Sequence, residues 1–124
     1  MHISAIPAAL ALAALSASTA SATMIKMYIV QQVVPIVTTT LITDDGDAHN
    51  YGYFLDGCKK NYDFVQEICI DSARSRAHIF WTNQPGRKYC FVQTKNRSQI
   101  CASGPGTNTV RCIDIEYTAA PCTW

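Results

Sequence analysis

Asp63-Phe64-Val65-Gln66-Glu67-Ile68-Cys69-Ile70-Asp71-Ser72-Ala73-Arg74-Ser75-Arg76-Ala77 is the stretch on which the fold class turns. Phe64, Val65, Ile68, Cys69 and Ala73 fall at helical spacing on one stripe, while Gln66, Glu67, Asp71 and Arg74 lie largely off it. The period predicts one amphipathic helix over 63–77. Asp63 with Gln66 three residues later matches a capping box, and Arg74 and Arg76 occupy the last turn, where the helix dipole favours cations. On such a helix Cys69 points its sulfur at a neighbouring sheet, so a helix-to-strand disulfide is expected.

On the N-terminal side, Met24 to Thr43 is mostly β-branched and aliphatic, which favours extended chain. Pro35 cannot donate to a sheet ladder and divides this stretch into two short strands. Asp44-Asp45-Gly46-Asp47 turns the chain, and Asn50 to Asp56 is an aromatic-rich approach to the first cysteine. On the C-terminal side the sequence reads as a meander. Strands at His78 to Thr82, Lys88 to Thr94, Gln99 to Ser103 and Thr109 to Thr118 alternate with turns at Asn83-Gln84-Pro85-Gly86, Lys95-Asn96-Arg97-Ser98 and Gly104-Pro105-Gly106. The expected fold is α+β: one amphipathic helix packed on an antiparallel β-meander, held by three disulfides.

The apolar run from Ala5 to Leu15 carries no charge and is followed by Ala20-Ser21-Ala22, the pattern of a secretory leader over 1–22, although only His2 and the amino terminus supply positive charge before it. Residues 23–124 then form a single disulfide-rich domain. No later segment reaches membrane-spanning length. Cys58, Cys69, Cys90, Cys101, Cys112 and Cys122 form an even set, and no CxxC or HxxxH pattern accompanies them, so disulfides account for them better than a metal site. Fifteen connectivities are open; closing the domain ends favours Cys58 with Cys122, leaving Cys69 for a meander cysteine. The expectation is a monomer, secreted and extracellular, with no cofactor and no metal.

Charge is divided along the chain. Asp44, Asp45, Asp47, Asp56, Asp63, Glu67 and Asp71 outnumber Lys59 and Lys60, and from Ser72 to Ile113 there are cations without a single Asp or Glu. Arg74, Arg76, Arg87, Lys88, Lys95, Arg97 and Arg111, interleaved with Trp81, Tyr89 and Phe91, are candidate contacts for a polyanion or nucleic acid. The competing reading is strand alternation, with aromatics inward and cations solvated. Asn96-Arg97-Ser98 is a glycosylation sequon placed by this reading at a hairpin tip. No phosphate-loop, dinucleotide or serine-hydrolase motif occurs, and no catalytic residue is assigned.

The leader, the six cysteines and the absence of enzyme motifs resemble the small secreted cysteine-rich proteins of filamentous fungi. Cys90-Phe91-Val92-Gln93 and the segment from Ile113-Asp114-Ile115-Glu116-Tyr117 to Cys122 are faintly similar to virally encoded killer toxins of smut fungi. The order of a cysteine, a helix, a meander carrying Gly104-Pro105-Gly106 and a last cysteine resembles the scaffold of small fungal ribonucleases, for which His49 and His78 are the candidate histidines and Glu67 and Glu116 their possible partners; the Tyr-Pro-His element of that family is missing. The resemblance implies a non-enzymatic effector of virulence type that occupies a host protein or polyanion through turns such as Asn83 to Lys88 and Lys95 to Ser98. It leaves as alternatives a toxin against competing cells, a ribonuclease-like activity and a protease inhibitor.

Overall fold

The computed structural model describes residues 22–62, 64–104 and 107–124, with backbone alone for 103, 104, 107 and 108. The leader, but for Ala22, the Asp63 cap and the Pro105-Gly106 part of the last turn lie outside the described residues. The remainder is built from eight strands: β1 (Met24–Gln31), β2 (Ile36–Ile42), β3 (Ala48–Gly52), β4 (Gly57–Tyr62), β5 (Val65–Asp71), β6 (Arg76–Trp81), β7 (Lys88–Gly104) and β8 (Thr107–Ala120). The one helical element among the described residues is a 3₁₀ turn, Ser72–Arg74. None of this is long and apolar enough to cross a membrane as a helix.

The expected amphipathic helix over 63–77, and with it the α+β class, is therefore corrected: the segment is β5, the 3₁₀ turn and the start of β6. A β-bulge explains the misleading period. Val65 pairs with Trp81 but Glu67 pairs with Phe80, so Gln66 is an extra residue on the β5 side. Val65 and Ile68, three apart, consequently both face the core, which in sequence looks like the spacing of one helical turn. Past the bulge strict alternation resumes, with Ile68 and Ile70 buried opposite Ile79 and Ala77. Ser75, in the left-handed conformation at φ 54°, ends the 3₁₀ turn, and its carbonyl accepts from the Gln93 N–H at 2.9 Å.

All ladders are antiparallel, in the order β3-β2-β1-β8-β7-β6-β5-β4. That order is the chain order taken round a circle and cut between β3 and β4. The sheet is thus an up-and-down half-barrel with a side-chain seam in place of an eighth ladder. Across the seam Tyr51 and Tyr62 lie 4.5 Å apart by ring centroids, His49 meets Phe64 edge-on at 4.5 Å, and the Tyr62 hydroxyl donates to the Asn50 carbonyl at 2.8 Å. Eight strands enclose a space that side chains fill. Ile25, Met27, Leu41, Val65, Ile68, Ile79, Phe91 and Tyr117 do so here. Thr39 is fully buried among them, and its hydroxyl donates to the Phe54 carbonyl.

The disulfides also depart from expectation. Cys58 bonds Cys69, Cys90 bonds Cys122 and Cys101 bonds Cys112. Cys58 and Cys69 are direct register partners on β4 and β5, so Cys69 staples neighbouring strands of one sheet. Cys122 reaches back over the outer wall to Cys90, not to Cys58. A second correction concerns Lys95 to Ser98, which form no turn: β7 runs through them without a break and β8 answers them residue by residue, giving a long ribbon. Pro35, by contrast, stands where expected, in the turn between β1 and β2. Three disulfides are consistent with an extracellular protein.

Candidate functional site

One end of the half-barrel is open. There the chain enters β1 at Thr23, leaves β2 through Thr43-Asp44-Asp45, crosses from β4 to β5 at Phe64, from β6 to β7 at 82–87, and leaves β8 at Ala120-Pro121-Cys122. These segments line a cleft of about 1330 Å³. Their shapes are fixed locally. In the β2–β3 turn the Gly46 N–H donates to the Thr43 carbonyl and the Thr43 N–H to the Asp47 carbonyl, both at 2.9 Å, with Gly46 at φ 88°. The Thr23 hydroxyl holds Asp44 at 2.9 Å. In the β6–β7 loop the Gln84 N–H reaches the Trp81 carbonyl at 3.1 Å, and the Thr82 N–H ties the loop to the Phe64 carbonyl at 3.0 Å.

Aromatic rings make the floor and one wall. Phe64 and Trp81 stack at 5.5 Å with planes 6° apart, Trp81 meets Tyr89 at 6.2 Å and 73°, and the buried Phe91 lies beneath. The rim is polar and of mixed sign. Arg87 lies 5.3 Å from the Tyr89 ring centroid, the Tyr89 hydroxyl donates to Gln84 Oε1 at 2.5 Å, and Asp44 and Asp45 carry the opposite charge. The Thr43 hydroxyl, then the Asp47 N–H, hold the Asp45 carboxyl below its ordinary value, so Asp45 stays ionised at any physiological pH. Apolar rings below a rim of convergent polar groups, at the mouth of a barrel, is the arrangement small-molecule and side-chain sites share.

The seven cations read from the sequence are not gathered into one patch. Arg87 stands at the mouth. Arg76 and Lys88 lie against one ring, that of Trp124, at 4.9 and 5.6 Å; Lys88, which also lines the cleft beside Arg87, donates from Nζ to the Trp124 main-chain oxygen at 2.5 Å. Arg74 is at the opposite end, paired with Asp71 at 3.1 Å, and Arg76 contacts the same carboxylate at 3.5 Å. Lys95 pairs with Glu116 at 3.6 Å, Arg97 faces Asp114 across the ribbon, and Arg111 donates to the Ser98 hydroxyl at 3.1 Å. The interleaved Trp81, Tyr89 and Phe91 face the interior and the mouth, as strand alternation requires. Asn96 is exposed in the middle of β7, with its amide donating to Gln93 Oε1 at 3.3 Å, and not at a hairpin tip.

Cys58, Cys69 and Glu67 come together closely enough to suggest a cation site, but both sulfurs are committed to their disulfide. His78 lies on the outer wall of β6, away from the mouth, edge-on to Phe80 at 5.6 Å. Burial first, then the charges of Lys88 and Arg76, push its imidazole below the ordinary value of 6.5, against a smaller opposing effect of Glu67. The native state therefore disfavours the protonated form. Stability from this group is complete above pH 6.5 and falls as pH drops below that value, until the lowered native value is passed. A urea midpoint that declines on acidification through this window, and a His78→Gln variant whose midpoint declines less, are the expected results.

Phe64, Trp81 and Tyr89 are the mouth residues that sequence reasoning missed as a group. The available signal was the Asn83-Gln84-Pro85-Gly86 turn flanked by two large rings. No protein-family model, curated protein or solved structure matches the chain.

Proposed function

We propose that the chain is a secreted, non-enzymatic binding protein of the effector kind, acting by occupancy, and that the barrel mouth is where its ligand sits. The observation that carries this reading is the cleft of about 1330 Å³ above an otherwise filled core, walled by Phe64, Trp81 and Tyr89 and rimmed by Arg87, Asp44 and Asp45. A pocket of mixed sign with an aromatic floor suits an amphipathic ligand, or one protruding side chain of a host protein, better than a long polyanion, whose contacts need cations along one track. The scaffold supplies rigidity: Cys90–Cys122 pins the end of β8 to the mouth, so little ordering is left to be done on binding.

Trp81 reports on the site. In a Trp124→Phe background its fluorescence is titrated with a neutral oligosaccharide, heparin and a panel of heteroaromatic compounds. The expected result is a saturable change with an amphipathic compound, weakened at least tenfold by Tyr89→Ala, which removes one wall and the ring beneath Arg87. Heparin binding that Tyr89→Ala leaves untouched and added salt abolishes would move the ligand to the dispersed cations. No saturable response to any probe would sink the mouth as the site. The alternative of a toxin against competing cells draws on a different feature, the apolar end of the molecule opposite the mouth.

A further inference from the structure

β7 has a strand on each side for part of its length and is an edge for the rest. β6 accompanies it only as far as the Arg76–Val92 pair, and the Gln93 N–H then donates to the Ser75 carbonyl, whereas β8 continues beside β7 to the Gly104–Thr107 pair. Among the described residues no strand lies on the β6 side of β7 beyond Val92. Such an edge offers unpaired N–H and C=O groups to any extended chain that meets it. Bulges between Gln93 and Lys95, between Ile100 and Ala102 and between Ala102 and Gly104 break its regularity, and the stretch left regular is Lys95 to Ile100.

That stretch contains Asn96-Arg97-Ser98, the one Asn-x-Ser/Thr sequence in the chain. Asn96, Arg97, Ser98, Gln99 and Ile100 are all exposed. Charge gives this edge little protection of its own. Lys95 is paired with Glu116 at 3.6 Å, Arg97 stands opposite Asp114, and Ile100 is an apolar side chain 58% exposed. Antiparallel pairing of two copies about the middle of the stretch would bring each Asn96 within two residues of the pairing axis. A hydrophilic oligosaccharide on Asn96 stands in the path of that second edge. The native fold has room for it, since Asn96 is exposed and its side chain makes one contact, the donation from Nδ2 to Gln93 Oε1 at 3.3 Å. A glycosylated amide keeps one hydrogen with which to make it.

We infer that Asn96 carries an N-linked glycan and that this glycan shields the open edge of β7 from pairing with a second copy of the chain. The donor is a lipid-linked oligosaccharide diphosphate of the secretory pathway. Asn96 Nδ2 bonds to the anomeric carbon of the first sugar, the bond from that carbon to the diphosphate oxygen breaks, the lipid diphosphate leaves, and one amide proton passes to solvent. The inference rests on the chain being secreted and is independent of the mouth being a ligand site.

The full chain is expressed in a eukaryotic secretory host, once with its own residues 1–22 and once behind a leader of the host. Protein from the medium is weighed by mass spectrometry before and after treatment with peptide-N-glycosidase. The parent is expected to be heavier than the polypeptide by one oligosaccharide, which the enzyme removes, leaving a carboxylate at position 96. Asn96→Gln and Ser98→Ala should lack the oligosaccharide, and Ser98→Thr, which keeps the hydroxyl, should retain it. On gel filtration the glycosylated parent should be monomeric, whereas Asn96→Gln should associate as its concentration rises, with the melting temperature of the parent when dilute. Adding Ile100→Lys should return Asn96→Gln to monomer, since an edge lysine opposes pairing. A parent secreted without the oligosaccharide overturns the proposal. An Asn96→Gln protein that stays monomeric, or an association that Ile100→Lys leaves intact, overturns the shielding role. Secretion only behind the host leader would count against the secreted reading, and the protein so obtained still tests Asn96.

Discussion

Full reduction is expected to unfold the protein at room temperature. In the chain-entropy description, Cys90–Cys122, with its separation of 32 residues, contributes about 4 kcal/mol. Cys58–Cys69 and Cys101–Cys112, each separated by 11, contribute about 3 kcal/mol each. The sum, about 10 kcal/mol, is comparable with the whole net stability of a domain, about 5–15 kcal/mol. The three bonds do not act on the same structure. Cys101–Cys112 clamps the distal part of the β7–β8 ribbon, and Cys101→Ser with Cys112→Ser should loosen that ribbon and lower the melting temperature by less than the loss of Cys90–Cys122 does. Cys58–Cys69 holds the seam strand β4 onto β5. Cys90–Cys122 closes the largest loop and fixes the rim of the mouth, so its removal should cost most. Thermal melts followed by circular dichroism, oxidised and reduced, check the total, and the paired serine variants check the order. A reduced protein melting within a few degrees of the oxidised one would show that the hydrophobic core suffices alone.

Strand positions were partly legible in the sequence because alternation is a local signal. The β-branched run split at Pro35 gave β1 and β2, and Asp44-Asp45-Gly46-Asp47 and Asn83-Gln84-Pro85-Gly86 gave true turns. The errors came from irregular alternation. At Gln66 a bulge put Val65 and Ile68 on one face, and two residues three apart do not by themselves distinguish a helical stripe from a bulged strand. Lys95-Asn96-Arg97-Ser98 has turn composition but lies in β7, because β8 supplies a complete partner ladder and the tertiary pairing overrides local preference. β4, with Lys59, Lys60 and Asn61, offers almost no apolar alternation to read.

The site was less legible still, since it is made of chain ends and turns that only the curl of the sheet brings together. A run of cations in sequence says nothing of the faces on which they emerge. Here Arg74 and Arg87 lie at opposite ends, because the 3₁₀ turn and the β6–β7 loop cap opposite ends of β6. The exposed Val33 and Val34 were equally hidden: a β-branched pair before proline reads as strand until the structure shows it at a tip.

Phe91 joins the packing of the barrel to its mouth, and Phe91→Ala should reveal both. Phe91 is fully buried opposite Ala77 and forms the floor of the cleft. Truncation removes the ring's transfer energy and leaves a cavity, at a cost of about 3–5 kcal/mol. At about 4–8 °C per kcal/mol for a domain near this size, the melting temperature should fall by roughly 15–30 °C. With the disulfides intact the loss should be survivable, since the cross-links restrict the unfolded chain. The space vacated lies directly below Trp81 and Tyr89, and an apolar cavity of that kind stays dry and accepts a small aromatic molecule. The folded variant should therefore bind benzene or a similar probe, seen as a change in Trp81 fluorescence in the Trp124→Phe background, where the parent shows none. A large drop in melting temperature without probe binding would mean that the barrel collapses around the missing ring. The mouth would then rest on a compliant core, not on the rigid floor that binding by occupancy requires.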